Sequence, residues 1–363
     1  MYLSRPLLRS ILSSALLVAM SAVVSGPAAA HVKWFCGPTD VTVPPLGLRD
    51  VLSPPFLSRA VGFVLLVMAA SLVDAMIARR WPSRMLGRGR FEVAEELLIR
   101  LGVGGYAICL WNNTAMVPWG AGATGAILTP ELFEHDRLVG LLQLAVAAML
   151  LFRRTCPLAG LGLAVLYAVG VARYGAFHMT DYVYFLGLAG YLVLSAPHFD
   201  RRPGLRSWRV SLLAGCLSFS LMWTAIEKFL YPAWTEIILA THPNLTLGFP
   251  LPFVTVTAGF VEFSLAFYLL VGRSLLWLNA LALILVFVSA MPEFGNLDLV
   301  GHLPIVAILL VVVIHGSTRL QEATRPQGVG PLRSAVSVAS LFTVSLVTLM
   351  AMYYGLQQTV TWL

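Results

Sequence analysis

Four ionisable residues interrupt segments of this chain that are otherwise apolar: Glu227, Glu262, Asp298 and His302. An acid at the centre of a membrane helix costs at least ~2.5 kcal/mol, so such groups point to redox, proton or metal work more than to passive anchoring. Asp298 and His302 stand four residues apart, which on a helix places them on one face about one turn apart. A carboxylate beside an imidazole orients it and forms a proton relay, or supplies two metal ligands. Glu227 falls near the end of its apolar run and Glu262 near the middle of the next, so the four are expected to converge on one polar site. Converging carboxylates in low dielectric do not all keep an uncompensated charge, so at least one is expected to take up a proton or a partner such as His302 or Lys228. A hydrogen-bond network that only locks helix packing is the alternative reading of the same residues.

The amino end offers a second candidate. Arg5 and Arg9 precede an apolar stretch from Ile11 to Val24 and then Ala28-Ala29-Ala30, the pattern of a signal peptide cleaved after Ala30. The apolar run is short for a membrane span, which disfavours an uncleaved first helix. Cleavage removes two arginines and no acid, leaving 22 basic against 17 acidic residues, a net charge of +5. The mature chain then begins His31-Val32-Lys33-Trp34-Phe35-Cys36. A terminal histidine presents its amine and imidazole as a chelating pair that suits copper, and Cys36 or another histidine would complete the shell, so His31 and Cys36 are the metal candidates. The other cysteines, Cys109, Cys156 and Cys216, lie in or beside apolar runs with no paired spacing and read as small hydrophobes.

Further polar residues fall between the runs: Glu131, Glu134, His135, His178, Asp181, His242 and Glu293. Glu131 and His135 have i, i+4 spacing, but the group as a whole reads as solvated loop residues. Trp119, Tyr182, Tyr184, Tyr231 and Trp234 beside them read as an interfacial aromatic belt. The glycosylation-type triplets at Asn112 and Asn244 carry no weight.

The elements that must position these residues follow from composition. Of 363 residues 58% are hydrophobic and 11% charged, with a mean hydropathy of +0.83, too little polar surface for a soluble domain of this size. The expected class is an all-α, polytopic membrane bundle. Apolar runs at about 56–78, 95–117, 137–152, 157–174, 181–197, 209–230, 251–271, 274–291, 298–315 and 334–355 predict about ten transmembrane helices. Arginines cluster in alternate loops, as at Arg79, Arg80, Arg84, Arg88 and Arg90, then Arg153 and Arg154, then Arg201, Arg202, Arg206 and Arg209. The positive-inside rule places those loops in the cytoplasm and both mature ends outside, in agreement with signal cleavage. The basic excess of +7 is spread over these clusters and not over one face, so nucleic acid is excluded as a partner.

Residues 95–197 and 209–315 show a weak internal duplication of four spans each, in one orientation because four is even. Asn113 stands five residues before Pro118 as Glu227 stands five before Pro232, Gln143 lies over Glu262, Asp181 over Asp298, and Phe185 over His302. The first copy keeps amides or an aromatic where the second has charge. The expected organisation is a signal peptide at 1–30, an outer amino-terminal segment with the first helix at 31–92, a degenerate four-helix repeat at 93–200, a second repeat holding the polar site at 201–318, and a cytoplasmic loop with the final helix at 319–363.

The stretch from Trp223 to Pro232, with Ala258-Gly259-Phe260-Val261-Glu262-Phe263 and Asp298-Leu299-Val300-Gly301-His302-Leu303-Pro304, resembles the DoxX-like membrane proteins, which include the DoxD-type subunit of thiosulfate:quinone oxidoreductase. The resemblance covers residues 209–315 and reaches 95–197 only through the duplication. It implies a four-helix bundle in a bacterial inner membrane, associated with electron transfer, sulfur metabolism or oxidative stress. The resulting expectation is redox chemistry on the periplasmic side, with quinone or copper as cofactor and membrane lipid, a quinone or a redox protein as partner. Copper handling through His31, proton-coupled transport and a scaffold role stay open beside it, as does whether the chain is an enzyme. No Gly-rich phosphate loop, C-x-x-C-H haem attachment or nucleophile elbow occurs.

Overall fold

Each of the ten apolar runs folds as a helix, because a long apolar run without internal turn signals satisfies its backbone N–H and C=O groups best within its own segment. The computed structural model describes residues 44–80, 91–116, 137–294, 296–324 and 328–360. The helices are α1 Pro54–Arg80, α2 Glu92–Met116, α3 Arg137–Met149, α4 Cys156–Met179, α5 Tyr184–Leu194, α6 Arg209–Leu230, α7 Pro232–Thr241, α8 Leu251–Val271, α9 Leu276–Phe294, α10 Asn296–His315, α11 Arg319–Ala323 and α12 Pro331–Val360. No strand occurs among the described residues. Residues 1–30, read in the sequence as a signal peptide, and the metal candidates His31 and Cys36 lie outside them.

Among the described residues, four helical segments are long and apolar enough to cross a membrane: Pro54–Arg80, Pro203–Leu230, Leu251–Val271 and Pro331–Gln357. Others fall short for a simple reason. At about 1.5 Å per residue, α3 and α5 reach less than ~20 Å against a hydrocarbon core of ~30 Å, and α2 carries Glu92, Glu95, Glu96 and Arg100. Helix α7 lies where the sequence suggests only an outer loop. Tyr231 ends α6 and Pro232 opens α7 at a position where its missing N–H costs nothing.

The packing order is a ring. Helix α2 packs on α3, α3 on α4, α4 on α5, α5 on α6, α6 on α8, α8 on α9, α9 on α10, and α10 returns to α2. Residues 93–200 and 201–318 therefore share one ring, since the last helix of each stretch packs on the first helix of the other, and within the second stretch α6 also touches α10. Both seams depend on small residues that let backbones approach. A Cβ on Gly102 would stand 2.5 Å from the Ala307 Cβ across the α2–α10 seam. One on Gly187 would stand 2.8 Å from the Cys216 Cβ across the α5–α6 seam.

Helices α1 and α12 pair with each other outside the ring, against α8. Buried Asp74 fastens α1 to the α8–α9 connection, accepting from the backbone N–H of Arg273 at 2.7 Å and of Leu275 at 3.0 Å and from the Tyr268 hydroxyl at 3.0 Å. An acid within a span thus caps the start of α9.

Candidate functional site

The last turn of α6 places Glu227 and Lys228 at one end of the ring. Tyr231 leaves helical geometry and its N–H closes on the Glu227 carbonyl at 2.7 Å, so the helix stops one turn beyond the two charged residues. Glu227 is buried, and its Oε1 accepts from the hydroxyl of Tyr353 on α12 at 2.9 Å. Lys228 Nζ donates to Glu262 Oε2 of α8 at 2.6 Å, with 20% and 28% of the two side chains exposed. A pair this open to its surroundings contributes little stability, but it sets where both charges point. His302 of α10 is buried with its ring 4.8 Å from that of Phe287.

Glu227, Lys228, Glu262 and His302 line one cavity of about 370 Å³. Three of the four residues singled out in the sequence therefore meet, and Glu262 takes Lys228 as its partner. Asp298 lies in the first turn of α10, with its side chain outside the described residues. Most of the remaining wall is apolar, supplied by residues such as Leu221, Ile238, Val254, Leu283 and Val286. Helix α7 covers one side through Trp234, Thr235 and Ile238, and the Trp234 ring stacks on Tyr231 at 3.9 Å. From Arg209 to Glu227 is 18 residues along α6, about 27 Å of helix, so the cavity lies far from the other end of the ring.

The same cavity takes in three residues that sequence reasoning placed elsewhere. Asp181, read as a solvated loop residue, is buried, and Tyr182 and Tyr184, read as an aromatic belt, are 1% and 2% exposed; all three line the cavity. They arrive there because the α5–α6 seam brings the turn at residues 180–184 against α6, where the Tyr184 N–H donates to Ser220 Oγ at 3.0 Å. The one available signal was the alignment of Asp181 with Asp298. Tyr353 was missed outright, because nothing in the spacing of α12 distinguishes it from the rest of an apolar helix.

Among the described residues, no three of His, Cys, Asp and Glu gather closely enough to share a metal ion. Glu131, Glu134 and His135 lie outside the described residues, as do the side chains of His178 and Glu293. His242 Nδ1 turns back to the Ile238 carbonyl at 3.1 Å.

A second, much smaller cavity of about 30 Å³ lies in the first half of the ring, lined by Tyr106, Leu110, Gln143, Tyr167, Phe185 and their apolar neighbours. At the opposite end of the ring from the larger cavity, the arginines read as topology signals are tied into ion pairs. Arg209 bonds Glu95 at 3.1 Å and Glu92 at 3.2 Å, Arg206 bonds Glu92, Glu96 and Asp200, Arg153 meets Glu96 at 3.3 Å, and His315 Nδ1 meets Glu95 at 2.9 Å. Comparison with protein-family models, with curated proteins and with solved structures finds no match to the chain.

A cavity of this make-up has definite capacities. Its size suits a small molecule or the head of a larger one, its wall suits an apolar body, and its charged residues suit proton exchange or hydrogen bonding at one end.

Proposed function

We propose that this is a multi-pass membrane protein that takes part in redox chemistry with a quinone-like molecule held in the larger cavity. The observation that carries the reading is the gathering of Glu227, Lys228, Glu262 and His302 on one cavity of about 370 Å³ with a mainly apolar wall. Reduction of a quinone to a quinol takes up two electrons and two protons, and oxidation returns them. Glu227, hydrogen-bonded to Tyr353, and His302 are the groups that exchange those protons. Lys228, held by Glu262, supplies a positive charge beside oxygen atoms that gain electron density. Electrons come from or go to a redox partner protein.

The resemblance of residues 209–315 to DoxX-like proteins supports the same assignment and an inner-membrane location with the cavity toward the periplasm. We further propose ten transmembrane segments, the short α3 and α5 being extended by the turns that flank them, and a duplicated four-helix unit. The two cavities support the duplication. Tyr106, Ala107 and Leu110 of the smaller precede Ser220, Leu221 and Thr224 of the larger by 114 residues, Gln143 precedes Glu262 by 119, and Phe185 precedes His302 by 117. In this reading the first copy has filled its cavity and lost its charge.

The test is extraction of detergent-purified protein for bound quinone, with a potentiometric titration of wild type, Glu227→Gln and His302→Ala. Bound quinone in the wild type, depleted or shifted in potential in the variants, is expected. A wild type without quinone or redox signal, whose proteoliposomes show a proton flux abolished by Glu262→Gln, would replace the redox reading by transport.

A further inference from the structure

Four oxidisable rings stand in a row beside the larger cavity. Trp234, half-buried on α7, stacks on Tyr231 with ring centres 3.9 Å apart, the Tyr231 ring lies 6.1 Å from that of Tyr353, and Tyr353 lies 4.8 Å from Trp223. Packing alone asks for no such choice. Two other clusters of this core, Phe56, Phe63, Phe229 and Phe260 in one and Phe263, Phe267 and Phe342 in the other, are built from phenylalanine, which fills space without an N–H or O–H to satisfy. We infer that Trp234, Tyr231 and Tyr353 form a one-electron relay, leading from the α7 side of the cavity to a radical site at Tyr353 with Glu227 as its proton acceptor.

The hydrogen bond to Glu227 separates a radical site from a merely packed ring. A phenol that loses an electron becomes a strong acid, and in an apolar interior the resulting cation is costly unless a base within reach takes its proton. Tyr353 is wholly buried, and its hydroxyl already donates to Glu227 Oε1 at 2.9 Å, so the acceptor is in place. The indole N–H of Trp223, the next ring inward, has no hydrogen-bond partner among the described residues, so the oxidation stops at Tyr353. The oxidant is an organic peroxyl radical at the α7 side of the cavity. It takes one electron from Trp234 and one proton from water and becomes a hydroperoxide. Tyr231 and then Tyr353 replace the missing electron, and the Tyr353 O–H bond breaks as its proton passes to Glu227. A quinol in the cavity then gives one electron to the Tyr353 radical and one proton to water, leaving a semiquinone, while Glu227 returns its proton to Tyr353. This return step alone rests on the redox reading of the cavity.

Detergent-purified full-length protein is oxidised with photogenerated tris(bipyridine)ruthenium(III), a cobalt(III) ammine serving as electron sink, then freeze-quenched and read by electron paramagnetic resonance. Wild type is compared with Tyr353→Phe, Trp234→Phe and Glu227→Gln. Trp277→Phe is the control, an exposed ring at the start of α9 outside the row. A neutral tyrosyl signal is expected in the wild type and in Trp277→Phe. It is lost in Tyr353→Phe, in Trp234→Phe, and in Glu227→Gln, whose amide accepts a hydrogen bond but not the proton. Tyr353 is 0% exposed and out of reach of a bulky water-soluble oxidant, so a radical there has arrived through other rings. Melting temperatures check that each variant is folded, and Trp234→Phe, which leaves the bond between Tyr353 and Glu227 in place, keeps the test open should Tyr353→Phe not fold.

No tyrosyl signal in the wild type, or one that persists unchanged in Tyr353→Phe, overturns the radical site. A signal lost in Tyr353→Phe but undiminished in Trp234→Phe overturns the relay, as does one diminished equally in Trp277→Phe, which would be general surface oxidation. Adding decylubiquinol is expected to shorten the lifetime of the wild-type radical. An unchanged lifetime leaves the relay standing and overturns a quinol in the cavity as its electron donor.

Discussion

Arg209→Met tests whether the ring is held by its buried ion pairs. Arg209 is 3% exposed and Glu95 1%, joined at 3.1 Å, and the guanidinium lies 5.5 Å from the Tyr191 ring centre. With the arginine gone, Glu95 keeps His315 at 2.9 Å, and a carboxylate that was compensated by a full guanidinium charge loses it. Breaking such a pair from one side costs roughly 3–5 kcal/mol. The lower end applies here, because Glu96 keeps Arg206 at 3.2 Å and Arg153 at 3.3 Å, and Glu92, at 41% exposure, can turn to water. About 3 kcal/mol is a change of roughly 150-fold in the ratio of folded to unfolded protein. Denaturant unfolding in detergent micelles, followed by tryptophan fluorescence, measures it. The double variant Arg209→Met with Glu95→Gln removes the stranded charge as well and is expected to recover at least half the loss. A cost under about 1 kcal/mol, the level of an exposed pair, or strictly additive single and double effects, would refute the claim that this network is desolvated and cooperative.

Tyr353→Phe removes the hydroxyl from which Glu227 Oε1 accepts and is expected to cost roughly 1–3 kcal/mol by the same unfolding measurement, with Glu227→Gln costing less because an amide needs no charge compensation. Gly102→Val forces apart α2 and α10, where even a Cβ would meet Ala307 at 2.5 Å, and roughly 1–3 kcal/mol should be lost, whereas Gly62→Val meets nothing within 4 Å and should be neutral. Asp74→Ala leaves the Arg273 and Leu275 amides and the Tyr268 hydroxyl without their acceptor, so a loss of about 2–3 kcal/mol is expected, with Asp74→Asn retaining part of it. Equal stability of Asp74→Ala and wild type would show that α1 is not fastened through this residue.

The helices were legible from the sequence because an apolar run is a local property. Each run contains the residues that make it helical, and the folded chain moved its ends by only a few residues. Glu227, Glu262 and His302 were legible for a related reason, since a charge inside an apolar run stands out without any knowledge of its neighbours. The pairing of Lys228 with Glu262 followed from the same logic of a charge seeking compensation. The arginines of the 153–209 region, by contrast, were read only as topology signals, because their partners Glu92, Glu95 and Glu96 lie up to 117 residues away and no spacing rule links them.

Sequence alone thus determined the all-helical class, the positions of the long helices and three of the residues on the larger cavity. Tertiary structure decided the rest: that α5 packs on α6 and α10 on α2, joining the two halves of the chain in one ring. That closure buries Asp181, Tyr182 and Tyr184 on the cavity, and the docking of α12 brings Tyr353 to Glu227. The physical reason is that hydrophobic runs and stray charges are written residue by residue, while a seam depends on which small residues, Gly102 with Ala307 and Gly187 with Cys216, come to face each other across the fold.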